Sequence, residues 1–289
     1  MASSRSRWWL VAFLWVAFAL NYLDRQMVYS MFPALRADLG IAPGRLGLIG
    51  SIFLWVYTLS MPLAGRLADR YPRERLILAS LILWSVATLG SGASQSESAF
   101  IGWRAAMGIT EALYFPAALA LLASVYPAEI RSRALGLHQS AQYLGAMLGG
   151  WYGGWSADHV GWRQAFAVAG AIGITYSVVL WQFFRRLPSV TVTPVSERAG
   201  NWRHLLYSPG YVMLCLTFAA FCAMQWVYLA WFPTFLYERY HLSMTESGWN
   251  ATVFLQGSAM LGIFLSAALA DRWAVRWPKA RLYVTASSV

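Results

Sequence analysis

The sequence predicts an all-α integral membrane fold of two pseudo-symmetric six-helix halves, truncated after helix eight and the start of helix nine. Three observations predict it. Hydrophobic residues fill 58% of the 289 positions and charged residues only 12%, with 16 Trp, 15 Tyr and 15 Phe, which lies outside the usual soluble range. Apolar segments long enough to cross a bilayer recur at 8–35, 46–64, 76–93, 98–126, 134–156, 164–184, 210–236 and 247–270, and a ninth begins at Leu282. Leu67-Ala68-Asp69-Arg70 recurs as Leu269-Ala270-Asp271-Arg272, 202 residues on, and the same offset carries the first span onto the seventh.

The first segment opens with thirteen apolar residues, Trp8 to Leu20, and then places Asn21, Tyr22, Asp24, Arg25 and Gln26 where more hydrocarbon is expected. At 1.5 Å per residue Asp24 lies ~25 Å from Trp8, still within the crossing. Arg5, Arg7 and Ala17-Phe18-Ala19 formally fit a cleaved signal peptide, but the many spans that follow need no separate signal. Span four carries Arg104 and Glu111, and span five carries His138, Gln142 and glycines at 145, 149 and 153. Cys215 and Cys222 share span seven and form neither a disulfide framework nor a metal site.

The basic residues set the orientation. Sixteen Lys and Arg fall at the N-terminus and in alternate connectors, against four on the opposite side, Arg36, Arg45, Arg163 and Arg239. The positive-inside rule then puts the N-terminus in the cytoplasm. The net charge of +10 is distributed as membrane topology requires and calls for no nucleic acid. The expected division is an N-terminal six-helix bundle over 1–186, a cytoplasmic linker over 187–208 rich in Pro, Ser and Thr, and an incomplete C-terminal bundle over 209–289.

The loop from Gly65 to Arg75, with Asp69, Arg70 and Arg73, resembles the signature G-x-L-x-D-R-x-G-R of major facilitator superfamily transporters, with Pro72 where the second glycine is usual. Arg104, Gly108 and Ala112 match the R-x-x-x-G-x-x-x-A pattern of span four, while span five lacks the proline of the antiporter motif. Asn21-Tyr22-Leu23-Asp24-Arg25, Arg104 with Glu111, and Trp231-Phe232-Pro233-Thr234 resemble the anion:cation symporters within that superfamily. The resemblance implies the major facilitator fold, a bacterial inner-membrane carrier and a small organic anion as cargo. It also implies substrate contacts at Tyr22, Tyr57 and Gln142, and a cytoplasmic gate latched by Gly65, Asp69, Arg70 and Arg73.

The residues themselves point the same way. Arg104 and Glu111 are two helical turns apart and share a face of span four. Arginine forks at positions 25 and 104 suit a carboxylate, and carboxyls at 24 and 111 in low dielectric suit proton uptake. Fixed salt bridges holding helices together are the bland alternative. Asp24 is expected to be held ionised for part of the cycle by its neighbour Arg25, and Glu111, the more desolvated of the two, to be neutral in the empty site and to carry the coupling proton. Tyr57 alone reads as an interface aromatic, and His138 reads equally as a proton relay or a packing residue. No G-x-S-x-G or H-E-x-x-H motif supports an enzyme, and no cofactor or metal is called for. The expected activity is therefore proton-coupled symport of an organic anion such as a sugar acid, by a monomer in the lipid bilayer. The alternatives are an exchanger or uniporter on the same fold, or a fragment that transports nothing.

Overall fold

Two of the eight expected spans are broken by proline. A computed structural model describes residues 4–186 and 207–274, and in it the first segment divides into α1 (Ser4–Ser30) and α2 (Phe32–Leu39). Pro33 lacks an N–H and crowds the carbonyl of Tyr29, so the helix cannot run straight through Met31. The fourth segment divides at Leu113 into α5 (Glu97–Ala112) and α6 (Tyr114–Val125), because Pro116 cannot donate to Ala112. The other segments fold as α3 (Pro43–Arg70), α4 (Arg73–Gly92), α7 (Ala128–His159), α8 (Trp162–Arg185), α9 (Pro209–Tyr240) and α10 (Met244–Ala274). Among the described residues there is no strand. Most of the linker over 187–208 and the ninth segment at Leu282 lie outside the described residues, as do the side chains of the second Leu-Ala-Asp-Arg motif.

Five stretches are long and apolar enough to cross a membrane by composition: α3, α4, α5 with α6, α8 and α9. Of the remaining long helices, α1 and α7 are as long but more polar, and α10 packs with them. They are also the ones that pack most extensively on each other, α1 against α7 and α7 against α10. Helices at the centre of a bundle line polar space, whereas the outer helices meet lipid. The outer ones accordingly expose apolar stripes, such as Trp55, Leu59 and Leu63 on α3.

Close packing comes from small residues, since apolar surface gains little by leaving lipid. A Cβ on Gly149 would lie 2.6 Å from the Leu23 carbonyl oxygen, and Gly145 and Gly153 meet α1 in the same way. Gly150 and Gly154 face α10 instead, so the glycines of α7 serve two neighbours rather than one. On α5, a Cβ at Gly108 would lie 2.7 Å from the Phe53 carbonyl oxygen, which is how α3 comes close enough to share a site.

Two apolar clusters divide the bundle along its length. One gathers Leu14, Phe18, Trp84, Tyr114, Leu121 and Tyr126, and the other Met27, Tyr29, Phe32, Ile49, Phe100 and Phe166. Along α1 the charged stretch from Asn21 to Gln26 falls between them.

Where α7 ends, Asp158 caps the N-terminus of α10. Its carboxylate accepts from the backbone N–H groups of Met244 at 3.2 Å and Thr245 at 2.7 Å, and from the Thr245 hydroxyl at 2.6 Å. Ser243 and Glu246 complete the cap, with the Glu246 N–H donating to the Ser243 hydroxyl at 3.1 Å and the Ser243 N–H donating to Glu246 at 3.0 Å. Arg36 and Glu238 add an exposed ion pair between α2 and α9 at 3.6 Å.

Candidate functional site

Helix geometry decides which way each charge on α1 points. Successive residues turn by about 100°, so the adjacent Asp24 and Arg25 cannot face the same neighbour. Arg25 turns towards α5 and α3. Its Nε donates to Glu111 Oε2 at 2.6 Å, with the side chains 6% and 0% exposed. Its guanidinium lies over the rings of Tyr57 at 4.4 Å, Tyr22 at 5.0 Å and Phe53 at 5.1 Å. Asp24 turns towards α4, where its Oδ2 lies 3.3 Å from the Thr88 hydroxyl. The expectation that Arg25 holds Asp24 is therefore corrected: the base pairs with Glu111, and Asp24 is left with a neutral hydroxyl.

Arg104 is fully buried on α5 and meets no carboxylate within ion-pair distance among the described residues. Its guanidinium lies over Phe53 at 4.8 Å, its Nε donates to the Ile49 carbonyl at 3.4 Å, and its Nη1 lies 3.1 Å from the Met107 sulfur. Among the described residues its Nη2 has no hydrogen-bond partner, and neither has Glu111 Oε1. A buried guanidinium with an unused donor is costly to maintain, about 1–3 kcal/mol for the orphaned group alone. Such a group is ready for an anion.

Phe53, shared by both guanidinium groups, escaped the sequence reading. Its one signal is its position four residues before Tyr57, on the same face of α3. Thr88 escaped too, because a hydroxyl in a span normally bonds its own helix, and Thr88 does also lie 3.0 Å from the Trp84 carbonyl oxygen.

Tyr22 and Tyr57 lie beneath the Arg25 guanidinium. Gln142 is half-buried on α7, one turn before the point where Gly145 backs onto Ala19 and Tyr22. Its side chain lies beside the Tyr143 hydroxyl and makes no hydrogen bond to the charged residues. His138 stacks on Phe18 at 4.6 Å, and its Nε2 lies 3.1 Å from the Tyr114 hydroxyl. Tyr114 spends its single proton on the Leu14 carbonyl at 2.7 Å, so His138 Nε2 is the donor of that pair. This binds α1, α6 and α7 together and favours the packing reading of His138.

The signature loop lies away from this site. Gly65, Asp69 and Arg70 sit at the end of α3, with Asp69 and Arg70 exposed and free of ion pairs among the described residues. Arg73 is buried at the start of α4 and donates to the Ala120 carbonyl on α6 at 3.1 Å.

Comparison with known proteins agrees with this architecture. A solved bacterial homologue of the human lysosomal transporter Spinster superposes with a TM-score of 0.78 at 23% identity, covering 96% of this chain and 65% of that one. A protein of Escherichia coli (strain K12) named a probable galactarate/D-glucarate transporter is 26% identical over 86% of this chain. The chain spans 63% of that relative's length. The D-galactonate transporter of Escherichia coli O6:H1 (strain CFT073) is 26% identical over 92% of this chain and 67% of its own length. These relatives are named as transporters and not as enzymes. Together with the match of the Major Facilitator Superfamily profile to residues 14–289, they establish that the chain belongs to the Major Facilitator Superfamily, a multi-pass membrane transporter family.

Proposed function

We propose that the chain is a secondary active carrier that moves a small organic anion, a sugar acid or similar carboxylate, together with a proton by alternating access. One observation carries this: a buried arginine whose carboxylate partner is a side chain, beside a second buried arginine with no carboxylate in ion-pair reach among the described residues. A carboxylate substrate can take the place of Glu111 on Arg25 and use the unpaired donor of Arg104, with Tyr22, Tyr57 and Gln142 lining its approach. Glu111, once displaced in a low-dielectric site, is stabilised by taking a proton, so anion and proton enter together. Asp24, already without a basic partner, is the second carboxyl available to protons.

On this reading 1–186 is one bundle, 187–208 a cytoplasmic linker and 209–289 part of a second bundle. The N-terminus is cytoplasmic and the protein is a monomer in a bacterial inner membrane. Gly65, Asp69, Arg70 and Arg73 belong to the cytoplasmic gate. The Asp158 cap then closes the outer end. Cysteines at the exposed positions Gln95 and Ser132 test the orientation, since only the first should react with an impermeant thiol reagent in intact cells.

The activity is tested in proteoliposomes. D-galactonate should accumulate when the outside is made acid, and a protonophore should abolish that accumulation. Uptake that ignores the protonophore would remove proton coupling and leave exchange or uniport.

A further inference from the structure

We infer that Asn21 is the second seat of the Glu111 carboxyl, the amide that receives it when the transported anion occupies Arg25. The inference rests on the proton–anion reading above. Asn21 precedes Arg25 by four residues, so both lie on one face of α1 with Glu111 opposite them. It is 1% exposed, and among the described residues neither its Nδ2 nor its Oδ1 makes a well-formed hydrogen bond. Its amide lies against the Glu111 carboxyl, whose Oε1 is the oxygen that Arg25 leaves unpartnered. A polar side chain buried with both atoms idle is rare, because polar groups removed from water normally pair.

The chemistry of the two candidate seats differs. Arg25 can only donate, so it holds the Glu111 carboxylate best and offers no acceptor to the O–H of the protonated acid. An amide both donates and accepts, so Asn21 can give an N–H to the carboxylate or take the O–H of the protonated acid. The other charged and titratable groups facing Glu111 are Arg25, Asp24, Tyr22 and Tyr29 on α1 and Arg104 on its own helix. From α3, Tyr57 faces it through Arg25. Asp24 is already engaged by Thr88, and the arginines are the anion's own partners. Asn21 is therefore a positioning residue: it touches Glu111 and acts on the anion only by letting Glu111 leave.

The test is the pH profile of D-galactonate binding to purified protein in nanodiscs, wild type against Asn21→Leu, with Asn21→Ala as the smaller replacement should the leucine variant fail to fold. At acid pH both variants should bind within about twofold of wild type, since Glu111 leaves as a neutral acid. At alkaline pH they should bind about tenfold more weakly, because the displaced carboxylate has no seat, and an orphaned buried group carries a penalty of that order. A variant whose whole profile matches wild type overturns the inference, and so does one weakened equally at every pH, as lost packing would produce. A wild type that binds no anion, or one that binds it independently of pH and as tightly after Arg25→Gln, defeats the proton–anion reading itself and the inference with it.

Discussion

Arg25 reaches from α1 to Glu111 on α5 at 2.6 Å and leaves Asp24, its neighbour in the chain, to a threonine on α4. The two carboxyls thus exchange the surroundings that the sequence led one to expect. On the proposed reading Glu111 shares a base with the incoming anion, while Asp24 has no base to lose.

The first prediction concerns that pair. Arg25→Gln leaves a buried carboxylate uncompensated and should destabilise the protein by about 3–5 kcal/mol, whereas Arg25→Gln with Glu111→Gln should recover much of the loss. Thermal unfolding of the two singles and the double in detergent measures the coupling. Additive losses would mean that the pair contributes no mutual stabilisation.

Glu111→Gln separates binding from coupling. The amide no longer competes as an anion for Arg25, so binding of D-galactonate should persist and lose its pH dependence, while accumulation driven by a pH gradient should vanish. Accumulation that survives the change would pass the coupling role to Asp24.

Gly149→Ala should reverse the usual helix rule. Alanine is favoured over glycine inside a helix by about 1 kcal/mol. Here the added Cβ would lie 2.6 Å from the Leu23 carbonyl oxygen, backbone that cannot rotate away. The substitution should therefore lower the unfolding temperature and pry α1 from α7. A raised unfolding temperature would show that this contact has slack.

Asp158→Ala should loosen the closed end of the bundle. It removes three acceptor contacts from the first turn of α10, at Met244 and Thr245. A cysteine at the buried Ser247, in a background without Cys215 and Cys222, reports the opening. Its labelling from outside should rise several-fold in Asp158→Ala, and an unchanged rate would mean that the glycine contacts alone hold α7 on α10.

Asp38 supplies a pH dependence outside the spans. The Arg163 guanidinium, hydrogen-bonded to it, holds its carboxyl below the ordinary carboxylate range, and the Trp162 indole adds a bond at 3.0 Å. A carboxyl depressed in the folded state contributes stability above its unfolded pKa and loses it as pH falls through the folded value. The tie between α2 and α8 should thus weaken on acidification into and below the carboxylate range. The effect is small because both partners are exposed. Asp38→Asn should remove that acid-sensitive part, read as hydrogen exchange of the α2 amides against pH.

The spans, the charges inside them and the glycine repeat of α7 were legible in the sequence, because hydrocarbon imposes length and polarity on any helix that crosses it. The helix breaks were not: 8–35 and 98–126 read as continuous, and although Pro33 and Pro116 part their helices, Pro62 and Pro233 stay inside α3 and α9. What the tertiary structure decided is rotation and partnership. Spacing puts Arg104 and Glu111 on one face of a helix, yet it cannot say that Arg25 from another helix takes the carboxylate while Arg104 rests on Phe53. Nor does it show that α7 turns Gly145, Gly149 and Gly153 to α1 and Gly150 and Gly154 to α10. A helix's own period sets only the angles between its side chains. The angle of the whole helix about its axis is set by the neighbours it packs against, and that angle chose which buried charge met which.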